Sequence, residues 1–152
     1  MLSDDIRLYI IRPTLTKLDL WSEASEKLLL GTGMIETGFS ALKQINGPAL
    51  GFWQIEPATH EDIAEHLIIY DRDLKDKILI ACNMGNLPND DELISNLKYS
   101  CAIARIIYHR SPAPMPQFND NAGFAEIYKK VYNTELGKAK YDRIIELFEG
   151  IK

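Results

Sequence analysis

From Leu28 to Ile35 the chain reads LLLGTGMI and then reaches one carboxylate, Glu36, with Gly38 two residues on. This run constrains the fold more than any other. A helix with no polar face has to be buried, so the rest of the chain must wrap it. Ser22 supplies an N-cap, Ala24, Leu28 and Ile35 recur at helical spacing, and Gly38 ends the helix as a glycine commonly does. Gly31 and Gly33 each cost ~1 kcal/mol against Ala inside a helix. Close approach is their physical use, so a second helix is expected to cross there. They do not form a dinucleotide loop, because no strand precedes them and the spacing is not GxGxxG.

Glu36 falls on the same helical face as Thr32, Gly33 and Leu29. Apolar neighbours and the negative end of the helix dipole both disfavour a carboxylate there, which favours a protonated acid. A general acid needs that state near neutral pH. The alternative from position alone is an exposed Glu at a helix end. Asn46-Gly47-Pro48 then marks a turn, and Gly51-Phe52-Trp53-Gln54-Ile55 reads as a short strand with aromatics. A lone acid facing a short aromatic-Gln strand points to acid/base chemistry in a cleft.

The remaining segments read as helical scaffold. A helix over 4–11 is ended by Arg12-Pro13, and 14–20 is a turn or short helix. Pro57 and Thr59 open a third helix, with Thr59 and Asp62 at capping-box-like spacing. A fourth covers 71–82. The longest, 90–110, is capped by Asn89, carries the stripe Leu93, Leu97, Cys101, Ala104 and Tyr108, and is the candidate central helix. Pro112, Pro114 and Pro116 stiffen a loop before helices at 122–132 and 139–148. His60 and His66 are six residues apart and lie on different faces. Without HExxH they read as ordinary, partly exposed histidines. Cys82 and Cys101 sit in apolar patterns, either as reduced core residues or as a pair if their helices meet.

At 152 residues one domain, 1–152, is expected. A net charge of −5 with no basic cluster argues against nucleic acid and against a polybasic membrane patch. The opening MLSDDIRLYIIRPT lacks the pattern of a signal peptide, and no window approaches ~18 apolar residues, so no membrane insertion is expected.

The order of these motifs resembles the goose-type lysozyme and soluble lytic transglycosylase superfamily. That family's pattern runs E-S, then G-L-M-Q-[LIV]-x-P-x-T, then N-[IL]-x-x-G-x-x-Y-L, then A-Y-N-x-G. Here Glu36-Thr37 is followed by Gly51-Phe52-Trp53-Gln54-Ile55-Glu56-Pro57-Ala58-Thr59, by Asn96-Leu97 with Ser100, Ile103 and Ala104, and by Tyr132-Asn133. The match covers residues 28–137. Thr37 replaces the usual Ser, Glu56 stands where the family often has Met or another apolar residue, and Ser100 is a departure in the third motif. The stretch from Gln44 to Pro57 is also similar to small phage-encoded proteins of this group.

The resemblance implies a mostly α, lysozyme-like α+β fold, with about seven helices around a central long one and a small β-hairpin beside Glu36. It implies cleavage of the β-1,4 bond between N-acetylmuramic acid and N-acetylglucosamine in peptidoglycan, with Glu36 catalytic and no cofactor or metal. In the family's transglycosylases a single Glu protonates the glycosidic oxygen and then, ionised, takes a proton from the muramic acid 6-hydroxyl. Gln54, Tyr132 and Asn133 are expected to orient acid and sugar, with Gln44 and Gly51 beside them. Phe52 and Trp53 are candidates for stacking on sugars, although alternate strand positions point opposite ways, so one can be core. Hydrolysis would need a second carboxylate, for which Glu56 and Glu61 are the nearest candidates in sequence and Glu56, just after the strand, the preferred one; the other reading of Glu56 is a charge at the start of the next helix. Without a leader, the protein would stay in a host cytoplasm until released with holin help, or ride on a virion, and act on the cell wall. The rival readings are a lysozyme-like module that binds glycan or virion without catalysis, and an unrelated helical structural protein.

Overall fold

A computed structural model describes residues 2–133 and 138–152. Residues 134–137, the end of the stretch matched to the family, lie outside the described residues. The chain is mostly helical. It opens with α1 (Leu2–Ile6), a π-helical turn (Arg7–Ile11) and α2 (Arg12–Lys17), which follow one another without a break. Pro13 was expected to end a helix and does not. It lies in the first turn of α2, and the wider turn before it carries the Arg12 N–H to the Arg7 carbonyl. That i→i−5 geometry suits a proline, which has no N–H to give and crowds the carbonyl four residues back.

In α3 (Glu23–Glu36), Ser22 and Ser25 cap each other reciprocally, at 3.0 Å from the Ser25 N–H and 2.7 Å from the Ser22 N–H. Residues 25–33 of this helix are buried, as an all-round apolar run requires. The close approaches at its glycines are to aromatic rings, at Gly31 to one carried by the C-terminal helix that packs against α3 and at Gly33 to one from the loop after α3. A Cβ on Gly31 would stand 2.1 Å from the Phe148 ring, and one on Gly33 2.3 Å from the Phe39 ring.

The expected hairpin is not built from strands. Among the described residues this region has only isolated antiparallel bridges, Lys43 to Leu50 and Leu50 to Ile55. The segment read as a strand is a tight turn. Leu50 and Ile55 exchange N–H···O bonds of 2.9 Å, and the four residues between them include Gly51 at φ +77° and Gln54 at φ +47°. Left-handed backbone at two positions is incompatible with an extended strand. Gly51 has a second reason to be glycine, since a Cβ there would meet the Leu93 carbonyl oxygen at 2.3 Å.

Beyond the turn, α4 (Pro57–His66) opens at Pro57 as expected, with Glu56 at its N-cap position, so Thr59 lies in the first turn and is not the cap. A 3₁₀ turn (Ile68–Tyr70) leads to α5 (Arg72–Ala81), capped by the Asp71 side chain. The long helix expected over 90–110 is broken at Asn96, leaving α6 (Glu92–Ser95) and α7 (Leu97–His109). Asn96 is extended, and its side chain accepts from the Tyr99 N–H at 3.1 Å, so an asparagine inside an apolar pattern acts as a cap. At 13 residues α7 is shorter than the 14-residue α3, yet it is the central helix, with every residue from Tyr99 to Tyr108 buried.

His60 is buried rather than partly exposed. Its Nδ1 lies 2.7 Å from Asp90 Oδ1 and its Nε2 2.6 Å from the Tyr99 hydroxyl, which ties α4 to α7. Cys82 and Cys101 are free and buried, and burial pushes the Cys82 thiol up to about 12. After the proline loop come α8 (Asn121–Ile127), a second π-helical turn (Tyr128–Tyr132) and α9 (Lys138–Glu149). Phe148 of α9 stacks on Phe124 of α8, which brings the C-terminal segment against α3.

Candidate active site

Glu36 is the last residue of α3 and is partly buried. The Gly38 N–H, at φ +58°, returns to the Met34 carbonyl at 3.1 Å and closes the helix. Thr37 fixes what faces the acid: its hydroxyl donates to the Phe52 carbonyl at 2.8 Å, fastening the 51–54 turn to the helix end. Burial raises the Glu36 carboxyl above its ordinary range, and a hydrogen bond from Tyr128 partly opposes that rise. The Tyr128 hydroxyl donates to Oε1 at 2.5 Å. Oε2 has no partner among the described residues.

Behind Tyr128 stands a ladder of aromatic rings. Tyr132 stacks on Tyr128 at 5.9 Å and 19° and on Tyr108 at 5.4 Å and 22°. Each such pair contributes ~0.5–1.5 kcal/mol beyond its buried area. The outer hydroxyls are anchored: Tyr108 lies 2.8 Å from the Thr32 hydroxyl, and Tyr132 donates to the Trp53 carbonyl. Burial raises all three phenols, so each stays a neutral donor. The π-helical turn sets their phase and also returns the Asn133 N–H to the Tyr128 carbonyl at 3.0 Å.

A cleft of about 330 Å³ opens beside the acid, lined by Glu36, Gln44, Ala49, Gln54, Glu56, Tyr132 and Asn133. Six of the nine residues singled out in the sequence therefore meet in one hollow. A second hollow of about 320 Å³ continues from it past Gln54, Glu56 and Tyr132 to Thr59, Ile107 and Arg110. Glu56 is exposed and shares the cleft with Glu36.

Three expected sugar contacts do not reach the cleft. Trp53 is 0% exposed, donates its indole N–H to the Leu29 carbonyl at 2.9 Å and is a core residue. Phe52 packs edge-on against Phe39 at 5.5 Å and Trp53 at 6.4 Å and lines none of these hollows. Gly51 is buried against α6 and shapes the turn without facing the cleft. With Gly51 and Gln54 left-handed, the strand alternation that would have turned one aromatic outward does not exist.

Tyr128, which touches the acid, was not singled out, and Tyr132 was expected in its place. The available signal was spacing, since Tyr128 precedes Tyr132 by four residues and shares its face. Arg110 lines the outer hollow while holding Asp62 Oδ2 at 2.7 Å. Among the described residues no cluster of His, Cys, Asp and Glu is arranged to hold a metal, and no helix is long and apolar enough to cross a membrane. No protein-family model, curated protein or solved structure matches the chain.

Proposed function

We propose that this chain is a lysozyme-like domain that cleaves the glycan strand of peptidoglycan between N-acetylmuramic acid and N-acetylglucosamine, as a lytic transglycosylase. The observation that carries the reading is Glu36 itself: a carboxyl kept up by burial, with one oxygen held by Tyr128, at the wall of a polar cleft. In this scheme protonated Glu36 gives its proton to the bridging oxygen as the C1–O bond of the muramyl unit breaks. The resulting carboxylate then takes the proton of the same sugar's 6-hydroxyl while that oxygen bonds to C1. A 1,6-anhydro ring closes, and Glu36 returns to its acid form. One carboxyl serves both steps because the nucleophile is internal to the substrate.

Gln54, Gln44 and Asn133 supply amides along the cleft for hydroxyl and N-acetyl groups. The aromatic ladder holds Tyr128 at a fixed distance from Glu36, so the acid does not have to be positioned anew at each turnover. The runner-up is hydrolysis of the same bond, and one observation favours it: a second carboxylate, Glu56, lines the same cleft.

Mass analysis of purified peptidoglycan after incubation with wild type and with Glu36→Gln tests this. The expected result is anhydromuropeptides from wild type alone. Reducing-end products would make the enzyme a hydrolase. No soluble product from folded wild type on several wall types would overturn the enzymatic reading.

A further inference from the structure

At the end of α3 away from the acid, a hollow of about 460 Å³ opens between the N-terminal helical stretch, the start of α3 and the proline loop. Trp21 and Phe118 supply its aromatic walls, and Arg7, Arg12, Glu23 and Lys152 its polar rim. None of these residues lines a hollow at Glu36. Glu26, at the base of this one, and Glu36 are ten positions apart on α3, which is about 15 Å of helix. This is a separate place, not a further stretch of the cleft.

Both rings are fixed by charges that the fold buries. Glu26, 0% exposed, accepts the Trp21 indole N–H at 2.6 Å. Its neighbour Lys27, 2% exposed, donates to the Phe118 carbonyl at 2.8 Å, and its ammonium stands 4.5 Å from the centre of the Phe118 ring. Burying charges costs stability that apolar residues of similar volume would not. A tie between α3 and the N-terminal stretch needs only the bonds from Arg7 and Arg12 to Glu26. The further bond from Trp21 fixes an indole that remains 41% exposed, which is how a binding wall is preformed.

The hollow's size falls within the ~300–1,000 Å³ of small-ligand sites. The guanidinium charge at its rim is already engaged: Arg7 and Arg12 both bond the Glu26 carboxylate, and Arg7 also donates to the Lys152 carbonyl at 2.7 Å. What faces a ligand is ring surface, an Arg12 Nη1 bonded to no described residue as donor, and the exposed Glu23 carboxylate as acceptor. A pyranose has the matching complement. Its C–H faces lie on aromatic rings, and the hydroxyl and N-acetyl groups at its edge both donate and accept. We propose that this hollow is a second carbohydrate site, which anchors a neutral N-acetylated sugar of the glycan while the cleft at Glu36 cuts elsewhere. The identity of the glycan rests on the glycan-cleaving reading; the chemistry of the hollow does not. A chain of net charge −5 gains no long-range attraction to an anionic wall, so ring stacking supplies affinity that charge cannot.

Of the chain's two tryptophans Trp53 is in the core and only Trp21 meets solvent, so quenching of indole fluorescence reports on this hollow. The probe is the β-1,4-linked tetramer of N-acetylglucosamine, titrated into Glu36→Gln so that nothing is cut. The expected result is a saturable blue shift of the emission and a loss of acrylamide quenching, down to the level of a Trp21→Phe control. Adding Gln54→Ala in the cleft is expected to leave that response in place. Phe118→Leu is expected to weaken binding by about two- to tenfold, the scale of one aromatic contact. Circular dichroism melts establish that each variant is folded. No change at Trp21 with the tetramer overturns the site and leaves glycan cleavage standing. So does protection by inorganic phosphate in place of the tetramer, or a response that Gln54→Ala abolishes, which is binding in the cleft. Saturable protection of Trp21 in a protein whose wild type releases nothing from peptidoglycan keeps the carbohydrate site and overturns the glycan-cleaving reading.

Discussion

The Tyr128 hydroxyl donates to Oε1 of Glu36 at 2.5 Å, joining residues 92 positions apart in the chain. Burial and this hydrogen bond act on the carboxyl in opposite directions, since burial disfavours the ionised form and the phenol favours it. Tyr128→Phe removes the opposing influence and leaves the burial, so the Glu36 carboxyl rises further. A general acid works only while protonated, so the alkaline limb of the kcat/KM profile on peptidoglycan moves to higher pH in the variant. A limb that stays in place or moves down would remove Tyr128 from the control of Glu36.

Gly31 faces Phe148 so closely that a Cβ would lie 2.1 Å from the ring. Helix propensity alone predicts that Gly31→Ala stabilises by ~1 kcal/mol. Overpacking a filled core costs about 1–3 kcal/mol and is expected to win, because Phe148 is 0% exposed and stacked on Phe124. Gly31→Ala should therefore lower the urea midpoint, and adding Phe148→Leu should cost less in that background than in wild type. If Gly31→Ala is as stable as wild type, the ring swings aside freely and close packing is not what this glycine is for.

The helices were legible in the sequence because periodicity and caps are local signals. The buried α3 with Glu36 at its end followed from an apolar run and one glycine. What the sequence hid were backbone states that periodicity does not encode. A left-handed Gln54 turned an apparent strand into a tight turn and sent Trp53 into the core. An asparagine cap at Asn96 divided an apparently continuous helix, and a π-helical turn kept the chain helical through Pro13. The same loss of phase explains the exchange at the acid. Tyr132 and Asn133 were expected beside it and both line its cleft, but the hydrogen bond to Glu36 comes from Tyr128, because a second π-helical turn gives Tyr132 to the Trp53 carbonyl. The meeting of Gln44, Gln54, Glu56 and Asn133 around Glu36 depends on this backbone and on Thr37 bonding the Phe52 carbonyl.

Glu26 illustrates a carboxyl with the opposite electrostatics. It is 0% exposed, and burial alone would raise it, but hydrogen bonds from Arg12, Arg7 and the Trp21 indole outweigh burial and hold it at about 2, against an ordinary 4.5. A depressed carboxyl contributes stability that is present above its unfolded value and is lost as pH falls through the folded one. The difference is worth roughly 3 kcal/mol. Glu26→Gln should therefore destabilise by about that amount in urea melts at pH 7. The gap to wild type should narrow as pH falls from 4.5 to about 2. A gap that does not change with pH would mean that Glu26 acts through packing alone.

Glu56 decides between the two chemistries open to Glu36. Both carboxyls line the same cleft, and Glu56 also precedes α4, where a negative charge at a helix N-terminus contributes ~0.3–1 kcal/mol. If water attacks C1, a second carboxylate has to activate it or bond to the sugar, and removing a general base costs about 10²–10⁴-fold in rate. If the 6-hydroxyl attacks, Glu36 performs both proton transfers and Glu56 contributes charge and shape alone. The transglycosylase reading therefore predicts that Glu56→Gln melts slightly lower, keeps kcat within about tenfold of wild type and still forms anhydromuropeptides. A hundredfold loss in kcat, with reducing-end products from wild type, would make Glu56 the second carboxylate of a hydrolase.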